Sequence, residues 1–365
     1  MKNNSLLYKT FHKKKVLITG HTGFKGTWLT SWLKILGAKI VGISVDVPTK
    51  PSHFEKTNLS KEITDLRMDI NSPNLRNEIN KFKPDFIFHL AAQSLVTDSH
   101  EDPLKTWKTN VLGTANLLNS LRGYKKSCVA IFITSDKCYD NKEWAWGYRE
   151  SDVLGGSDPY SGSKASAEIL INSFIKSFFS KNHPVQIASV RAGNVIGGGD
   201  WSSNRIIPDV ISAWSNHKPV KIRNPSATRP WQHVLEPLSG YLTLAAQMSE
   251  SNRLQGETFN FGPNDNQIKT VRNVVNSIYK YLPKKTLIVK RGANKNNEHH
   301  FLKLNCDKAL NTLKWIPTLT FDETIEMTME WYLSYYKSPK DIHIKTVAQI
   351  KKYEELAKKR NVSWS

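Results

Sequence analysis

The stretch Val16-Leu17-Ile18-Thr19-Gly20-His21-Thr22-Gly23-Phe24-Lys25-Gly26 decides how this chain folds. A short apolar run leads into glycines at GxxGxxG spacing. Thr27 to Leu36 then sets Trp28, Leu29, Trp32, Leu33 and Leu36 at helical intervals before a Gly37 stop. Ile40-Val41-Gly42-Ile43-Ser44-Val45 supplies a second buried-strand pattern, so strand, glycine turn, helix and strand form one parallel unit. In such a turn glycine permits the tight bend and lets amide N–H groups approach a pyrophosphate, whose charge the helix N-terminus favours. Gly20, Thr22, Gly23, Phe24, Lys25 and Gly26 are therefore candidate dinucleotide contacts. Asp46 ends the second strand, 20 residues beyond Gly26. A carboxylate there accepts hydrogen bonds from the adenosine ribose and repels a 2′-phosphate, which selects NAD over NADP.

The alternation continues outward. Phe86-Ile87-Phe88-His89-Leu90, Val129-Ala130-Ile131-Phe132-Ile133-Thr134 and Gln186 to Arg191 read as further strands separated by helical stretches. This predicts an α/β fold, a doubly wound parallel sheet whose ligands bind outside the carboxyl ends of the strands. At those ends stand more cofactor candidates. Asp69 and Ile70 close a third strand and face the adenine, Leu90, Ala91, Ala92 and Gln93 follow the fourth, and Asn110 lies in the next helix. After Arg191 the pattern loosens into Gly197-Gly198-Gly199, Pro208, Pro219, Pro225 and Pro230, the mark of a smaller substrate-binding lobe. The expected division is a dinucleotide domain over 13–190 with 226–262 returning to it, a lobe from 191–225 and 263–336, and an exposed basic appendage over 337–365. Asp322 to Tyr336 reads as a helix.

Composition narrows the class. The chain has 365 residues with 39% hydrophobic content, enough for a sizeable core. No run approaches the roughly 20 apolar residues that cross a bilayer, and Met1 to Lys15 is polar and Lys-rich rather than signal-like, so no membrane association and a cytoplasmic location are expected. Cys128, Cys138 and Cys306 show no metal-ligand spacing; no metal is expected, and the thiols suit a reduced state. The net charge of +20 suits either a polyanion or an anionic small substrate. Its basic residues are scattered over the whole chain, which points to a solvated basic surface rather than a nucleic-acid site.

Tyr160-Ser161-Gly162-Ser163-Lys164 puts a phenol and an ammonium four residues apart, on one helix face. A neighbouring cation favours phenolate, which removes a hydroxyl proton as hydride departs. With GxxGxxG and with Thr134-Ser135 at a strand end, the chain resembles the extended short-chain dehydrogenase/reductase family, whose dinucleotide domain is of the Rossmann type. The turn Thr134-Ser135-Asp136-Lys137-Cys138-Tyr139 sits where the family's sugar-nucleotide 4,6-dehydratases carry an acid and a base. Most of these have Asp-Glu; Asp-Lys is similar to the branch that acts on CDP-glucose. Epimerases of the same fold lack the acid. The stretches Val190 to Trp201 and Arg229-Pro230-Trp231-Gln232-His233-Val234 resemble the same branch.

The resemblance spans about residues 13 to 335 and implies a CDP-glucose substrate, bound NAD that is regenerated each turnover, and a homodimer or homotetramer joined through helices of the dinucleotide domain. Apolar residues around Val111 to Leu121 are candidates for that interface. Ser135, Asp136, Lys137, Tyr160 and Lys164 become the expected catalytic set. Gln93, Asn194, Arg205 and Arg229 become the substrate contacts, and arginine's fork suits phosphate oxygens. Tyr160 and Ser135 serve oxidation at C4. Lys137, neutral, then takes the C5 proton, and Asp136, protonated, gives its proton to the departing C6 hydroxyl. Burial of both side chains is the expected cause of those protonation states. Another NDP-sugar (dTDP-, UDP- or GDP-), an epimerase reaction and a non-catalytic nucleotide-binding protein are the alternatives that the residues leave open.

Overall fold

In the computed structural model, which describes residues 5–222, 224–264, 268–282, 289–291 and 301–365, the six predicted strand runs pair with a seventh, Thr258–Phe261, that the sequence did not single out, into one seven-stranded parallel sheet. Its strands are β1 (Lys15–Thr19), β2 (Lys39–Ser44), β3 (Thr64–Arg67), β4 (Phe86–His89), β5 (Cys128–Ile133), β6 (Val185–Ala192) and β7 (Thr258–Phe261). They lie in the order β3-β2-β1-β4-β5-β6-β7. Register runs Val16 to Ile40 on one side of β1 and Val16 to Phe86 on the other. The order reverses between β1 and β4, and the crevice there is where a doubly wound sheet binds its ligand.

The continuous apolar runs follow from burial on both faces. Val16 and Ile18 point to one side of β1, where α1 (Phe24–Ile35) packs; Leu17 points to the other, where α2 (Leu75–Phe82), α3 (Gly113–Leu121) and α4 (Pro159–Phe178) pack. α5 (Leu235–Glu250) joins the α1 side, buried along nearly its whole length. Beyond β6 the chain forms short two-stranded pairings, among them Thr228–Pro230 with Ile268–Thr270 and Val195–Ile196 with Gln232–His233. These frame the carboxyl ends of β4 to β6.

The C-terminal segment departs from expectation. It is no exposed appendage: after α6 (Phe321–Lys337), α7 (Ile342–Lys359) lies against α1 and α6. Ile342, Ile350, Tyr353, Ala357 and Trp364 are buried, and Trp32 of α1 donates its Nε1–H to Glu354 Oε1 at 2.8 Å. The lysines occupy one face of the helix and the apolar residues the other, so charge density in the sequence hides the buried stripe.

Candidate active site

The glycine turn is built as its spacing requires. Gly20 has φ +76°, and a Cβ there would stand 2.7 Å from the Ala91 backbone nitrogen. A Cβ on Gly26 would meet the Gly20 carbonyl oxygen at 2.1 Å, so the start of α1 lies directly on the turn. Gly23 differs: the nearest atom to its Cβ position is 3.4 Å away, and the space beyond belongs to the cleft. The first and third glycines thus serve the bend and the packing, while the middle one keeps room for a ligand. Gly23 also caps α1 without a side-chain hydrogen bond, which leaves the first-turn amides of a 12-residue helix free for an anion.

The flanking groups fit a dinucleotide. Thr22 Oγ1 donates to the Asp46 carbonyl oxygen at 2.7 Å and so holds the carboxylate at the cleft rim. Beneath the turn, His21 is buried between Ser44 Oγ and Asp65 Oδ1, each 2.9 Å away, and burial pushes its imidazole pKa down. Thr19 Oγ1 contacts His89 Nδ1 at 2.7 Å and accepts from the Ala91 N–H at 3.2 Å, which fixes the backbone after β4 against the glycines. Asp69 lies two residues beyond the end of β3 and lines the same cleft.

The cleft has a volume of about 1560 Å³, larger than one small-molecule site and sufficient for two ligands end to end. Every site residue expected from the sequence lines it except Asn110: the six of the glycine turn, Asp46, Asp69 and Ile70, Leu90 to Gln93, Ser135, Asp136, Lys137, Tyr160, Lys164, Asn194, Arg205 and Arg229. Asn110 lies behind the wall. Its Oδ1 accepts from the Gln93 N–H at 2.9 Å, and its Nδ2 donates to Gln93 O at 3.0 Å and to Ser163 Oγ at 2.8 Å. It braces the loop after β4 against the helix that carries Tyr160.

The catalytic turn follows β5, and α4 presents Tyr160 and Lys164 beside it, both buried. Asp158 caps α4 by accepting from the Ser161 N–H at 3.0 Å, which sets the first turn and hence the phenol. Ser135 Oγ donates to Asp136 Oδ1 at 3.0 Å and accepts from the Lys137 N–H at 3.2 Å. Tyr160 stands beside Ser135, whose hydroxyl favours the ionised phenol.

Two electrostatic expectations need correction. Lys164 does not bring Tyr160 down: burial dominates and pushes the phenol up to about 12, against a lowering hydrogen bond from Ser135. Burial also pushes the Lys164 amine down to about 8, with Glu168 opposing the shift. Burial does not act on Asp136 and Lys137 alike either. The Asp136 side chain is 4% exposed, but that of Lys137 is 32% exposed, its Nζ 3.9 Å from Asp136 Oδ1.

Some contributors were invisible in the sequence. Asp200, buried in the cleft wall, pairs through Oδ2 with Arg205 Nη1 at 3.0 Å and accepts from the Ser202 N–H. Glu168 takes the Thr134 hydroxyl, Ser189 Oγ and Arg191 Nη2, tying β5 and β6 to α4 directly below the catalytic turn. The only sequence signal for either is a lone acid beside recognised motifs. Lys25 is half-buried at the cleft floor, where desolvation and the neighbouring Arg205 and Lys164 push it down to about 8. Lys25, Lys137, Lys164, Arg205 and Arg229 give the inner cleft a cationic lining suited to diphosphates.

A profile of the GDP-mannose 4,6 dehydratase family matches residues 17–328. The chain belongs to that family. It is 45% identical over 329 residues to the CDP-glucose 4,6-dehydratase of Salmonella typhimurium, covering 89% of this chain and 92% of the relative. Among solved structures it resembles dTDP-glucose 4,6-dehydratase from Bacillus anthracis in complex with NAD, with a TM-score of 0.74 and 22% identity over 89% of this chain and 98% of that one. It also resembles UDP-glucuronic acid 4-epimerase from Bacillus cereus in complex with UDP-glucuronic acid and NAD, with a TM-score of 0.76 and 22% identity over 88% and 100%. These structural likenesses confirm the doubly wound fold. Among the described residues, no helix is long and apolar enough to cross a membrane.

Proposed function

We propose that this member of the GDP-mannose 4,6 dehydratase family converts CDP-glucose to CDP-4-dehydro-6-deoxyglucose and water, with NAD as a bound prosthetic group. One observation carries the reading: Asp136 and Lys137 stand beside Ser135 and Tyr160 in a single cleft that also holds the dinucleotide turn. The identity to the Salmonella CDP-glucose enzyme supports the choice of nucleotide. Gly20, Gly23, Gly26, Asp46 and Asp69 would hold NAD. Held there, NAD would supply hydride uptake from C4 and hydride return to C6, and a positive charge that would favour phenolate at Tyr160.

The chain's own residues handle the protons. Tyr160, steadied by Ser135, takes the C4 hydroxyl proton, and the 4-ketone so formed acidifies the C5 hydrogen. Lys137 takes the C5 proton while Asp136 protonates the C6 hydroxyl, which leaves as water. Lys137 then returns its proton to C5, and the proton that Tyr160 took from the C4 hydroxyl replaces, through solvent, the one that Asp136 gave to the departing water. These roles need a neutral amine and a neutral acid, which differ from the ion pair by one proton moved from Lys137 to Asp136, and the partly exposed lysine stem provides the reach. Arg205 and Arg229 take the diphosphate, with Asn194 and Gln93 on the sugar side.

Incubating the purified protein with NAD and each of CDP-, dTDP-, UDP- and GDP-glucose tests the reading. A 4-keto-6-deoxy product from CDP-glucose alone is the expected result; preference for another nucleotide, or mere C4 inversion, would replace it. Asp46→Ala should weaken NAD binding and relax discrimination against NADP, because both the ribose contact and the repulsion go. Titration of wild type and variant with both cofactors checks this, and tighter binding of NADP by wild type would remove Asp46 from the role. A reaction on these metabolites belongs in the cytoplasm.

For assembly, Val111 to Leu121 requires revision, because Leu117, Leu118 and Leu121 are buried in the core beneath the sheet. The exposed apolar residues nearby are Leu104, Trp107 and Leu112, with Ile169 on the adjoining α4. These are the better interface of a homodimer. Light scattering at low micromolar concentration should show more than the 41.5 kDa monomer, and Leu112→Glu should return the protein to that mass.

A further inference from the structure

The loop that carries the substrate-binding side of the cleft, Gly197 to Arg205, is shaped by contacts from α1, from His53 and from α6. Gly198 lies flat on the Trp331 indole, close enough that a Cβ would fall 2.0 Å from its Cγ. Gly199, at φ +86°, lies against the His53 ring in the same manner, with a Cβ position 2.6 Å from Cγ. Trp28 Nε1 donates to Gly198 O at 2.9 Å, and Tyr332 Oη donates to Asp200 O at 2.5 Å. Asp200 in turn holds Arg205. The path of the loop, and with it the direction of the arginine, depends on the orientation of two aromatic rings.

One hydroxyl from the C-terminal helix fixes both. Thr346 Oγ1 lies 2.9 Å from Ile342 O, to which it donates. Its two lone pairs then accept from Trp331 Nε1 and from His53 Nε2, each at 3.0 Å. This sets the His53 tautomer with its proton on Nε2 and leaves Nδ1 facing Gly199, without a hydrogen-bond partner among the described residues. Burial pushes the His53 pKa down to about 3, so the ring stays neutral through the physiological range. Thr346, Trp331, His53 and Trp28 are all buried, so no water replaces a lost bond cheaply.

We propose that Thr346 of α7 is a positioning residue for substrate binding: by orienting Trp331 and His53 it holds the Gly198–Asp200 loop so that Arg205 meets the substrate diphosphate. The inference rests on the role given to Arg205 above. It links α7, which lies beyond the span matched by the family profile, to the binding step rather than to the chemistry.

Thr346→Val keeps the volume and removes the acceptor. We expect its KM for the nucleotide sugar, and its calorimetric Kd for the free nucleoside diphosphate, to rise about tenfold, the loss from displacing one charge-assisted phosphate contact. NAD affinity should stay at the wild-type value and kcat within about twofold, since Gly20 to Gly26 and the catalytic turn touch neither ring. Thr346→Ser, which restores the hydroxyl, should recover the KM. Tyr332→Phe, which frees the same loop at Asp200 through a milder change, should show the same split and serves if the valine variant does not fold. Equal affinity for the diphosphate in wild type and in whichever variant folds would overturn the proposal. So would a parallel loss of NAD affinity and thermal stability without serine rescue, which marks a merely structural threonine. The nucleotide is chosen as the one wild type turns over best, so an error in the CDP reading appears in the wild-type panel and leaves the variant ratio interpretable.

Discussion

Tyr160→Phe is expected to cut turnover by about 100-fold or more, and to do so at the first chemical step. The substitution keeps the ring, which is buried at the start of α4, and removes only the phenol oxygen in the cleft. Among the described residues the one other phenol lining the cleft is Tyr139, which donates to Asn260 Oδ1 at 2.8 Å and whose pKa burial drives upward. Without Tyr160 the C4 hydroxyl has no acceptor for its proton, so oxidation stalls. Mixing the NAD-loaded variant with CDP-glucose should therefore give no rise in the absorbance of reduced nicotinamide, whereas NAD affinity changes little. Ser135→Ala should show a smaller defect at the same step, since it removes the hydroxyl beside the phenol and leaves the phenol itself. A Tyr160→Phe enzyme that reduces its nicotinamide at the wild-type rate would transfer the acceptor role elsewhere.

Legibility in the sequence tracks how local each constraint is. The turn from Gly20 to Gly26 was readable because bend, close approach and helix contact all fall within seven residues, and each admits only glycine. The middle of the sheet was readable for a similar reason, since strands buried on both faces must be apolar throughout, whereas the edge strands β3 (Thr-Asp-Leu-Arg) and β7 (Thr-Phe-Asn-Phe) carry polar residues that break the run. Asn110 was misplaced because helix periodicity says which residues share a face but not whether that face looks at the cleft or at the helix behind it. Glu168 was missed because its partners Thr134, Ser189 and Arg191 come from other elements, and Asp200 because its local pairing with Ser202 and Arg205 leaves no periodic mark in the sequence. The C-terminal helix is the extreme case: Trp32 and Glu354 meet across 322 positions, and nothing near Lys351 and Lys352 reveals that Ile350 and Tyr353 are buried. The protonation behaviour was least legible. Proximity of Tyr160 and Lys164 suggested a lowered phenol, yet desolvation outweighs it.

Lys137→Ala should separate the two halves of the reaction. Oxidation at C4 needs Tyr160 and Ser135, whose mutual contact does not involve the lysine side chain; only the Lys137 backbone N–H touches Ser135, and alanine keeps it. Proton removal from C5 needs a base beside the sugar, and Lys137 is the amine on the catalytic turn itself. The variant is therefore expected to accumulate reduced nicotinamide on addition of CDP-glucose while product formation falls by about 100-fold or more, the usual loss for a general base. Exchange of the C5 hydrogen with deuterated water should slow by the same factor, which distinguishes a failed deprotonation from slow product release. Asp136→Asn should differ in kind: C5 exchange persists, because the base is present, but elimination of the C6 hydroxyl stalls for want of an acid. If Lys137→Ala makes product at the wild-type rate, Lys137 and Asp136 are only a partly exposed ion pair. The base must then be another amine of the cleft, with Lys25 first in line, because burial and cationic neighbours already hold it down to about 8.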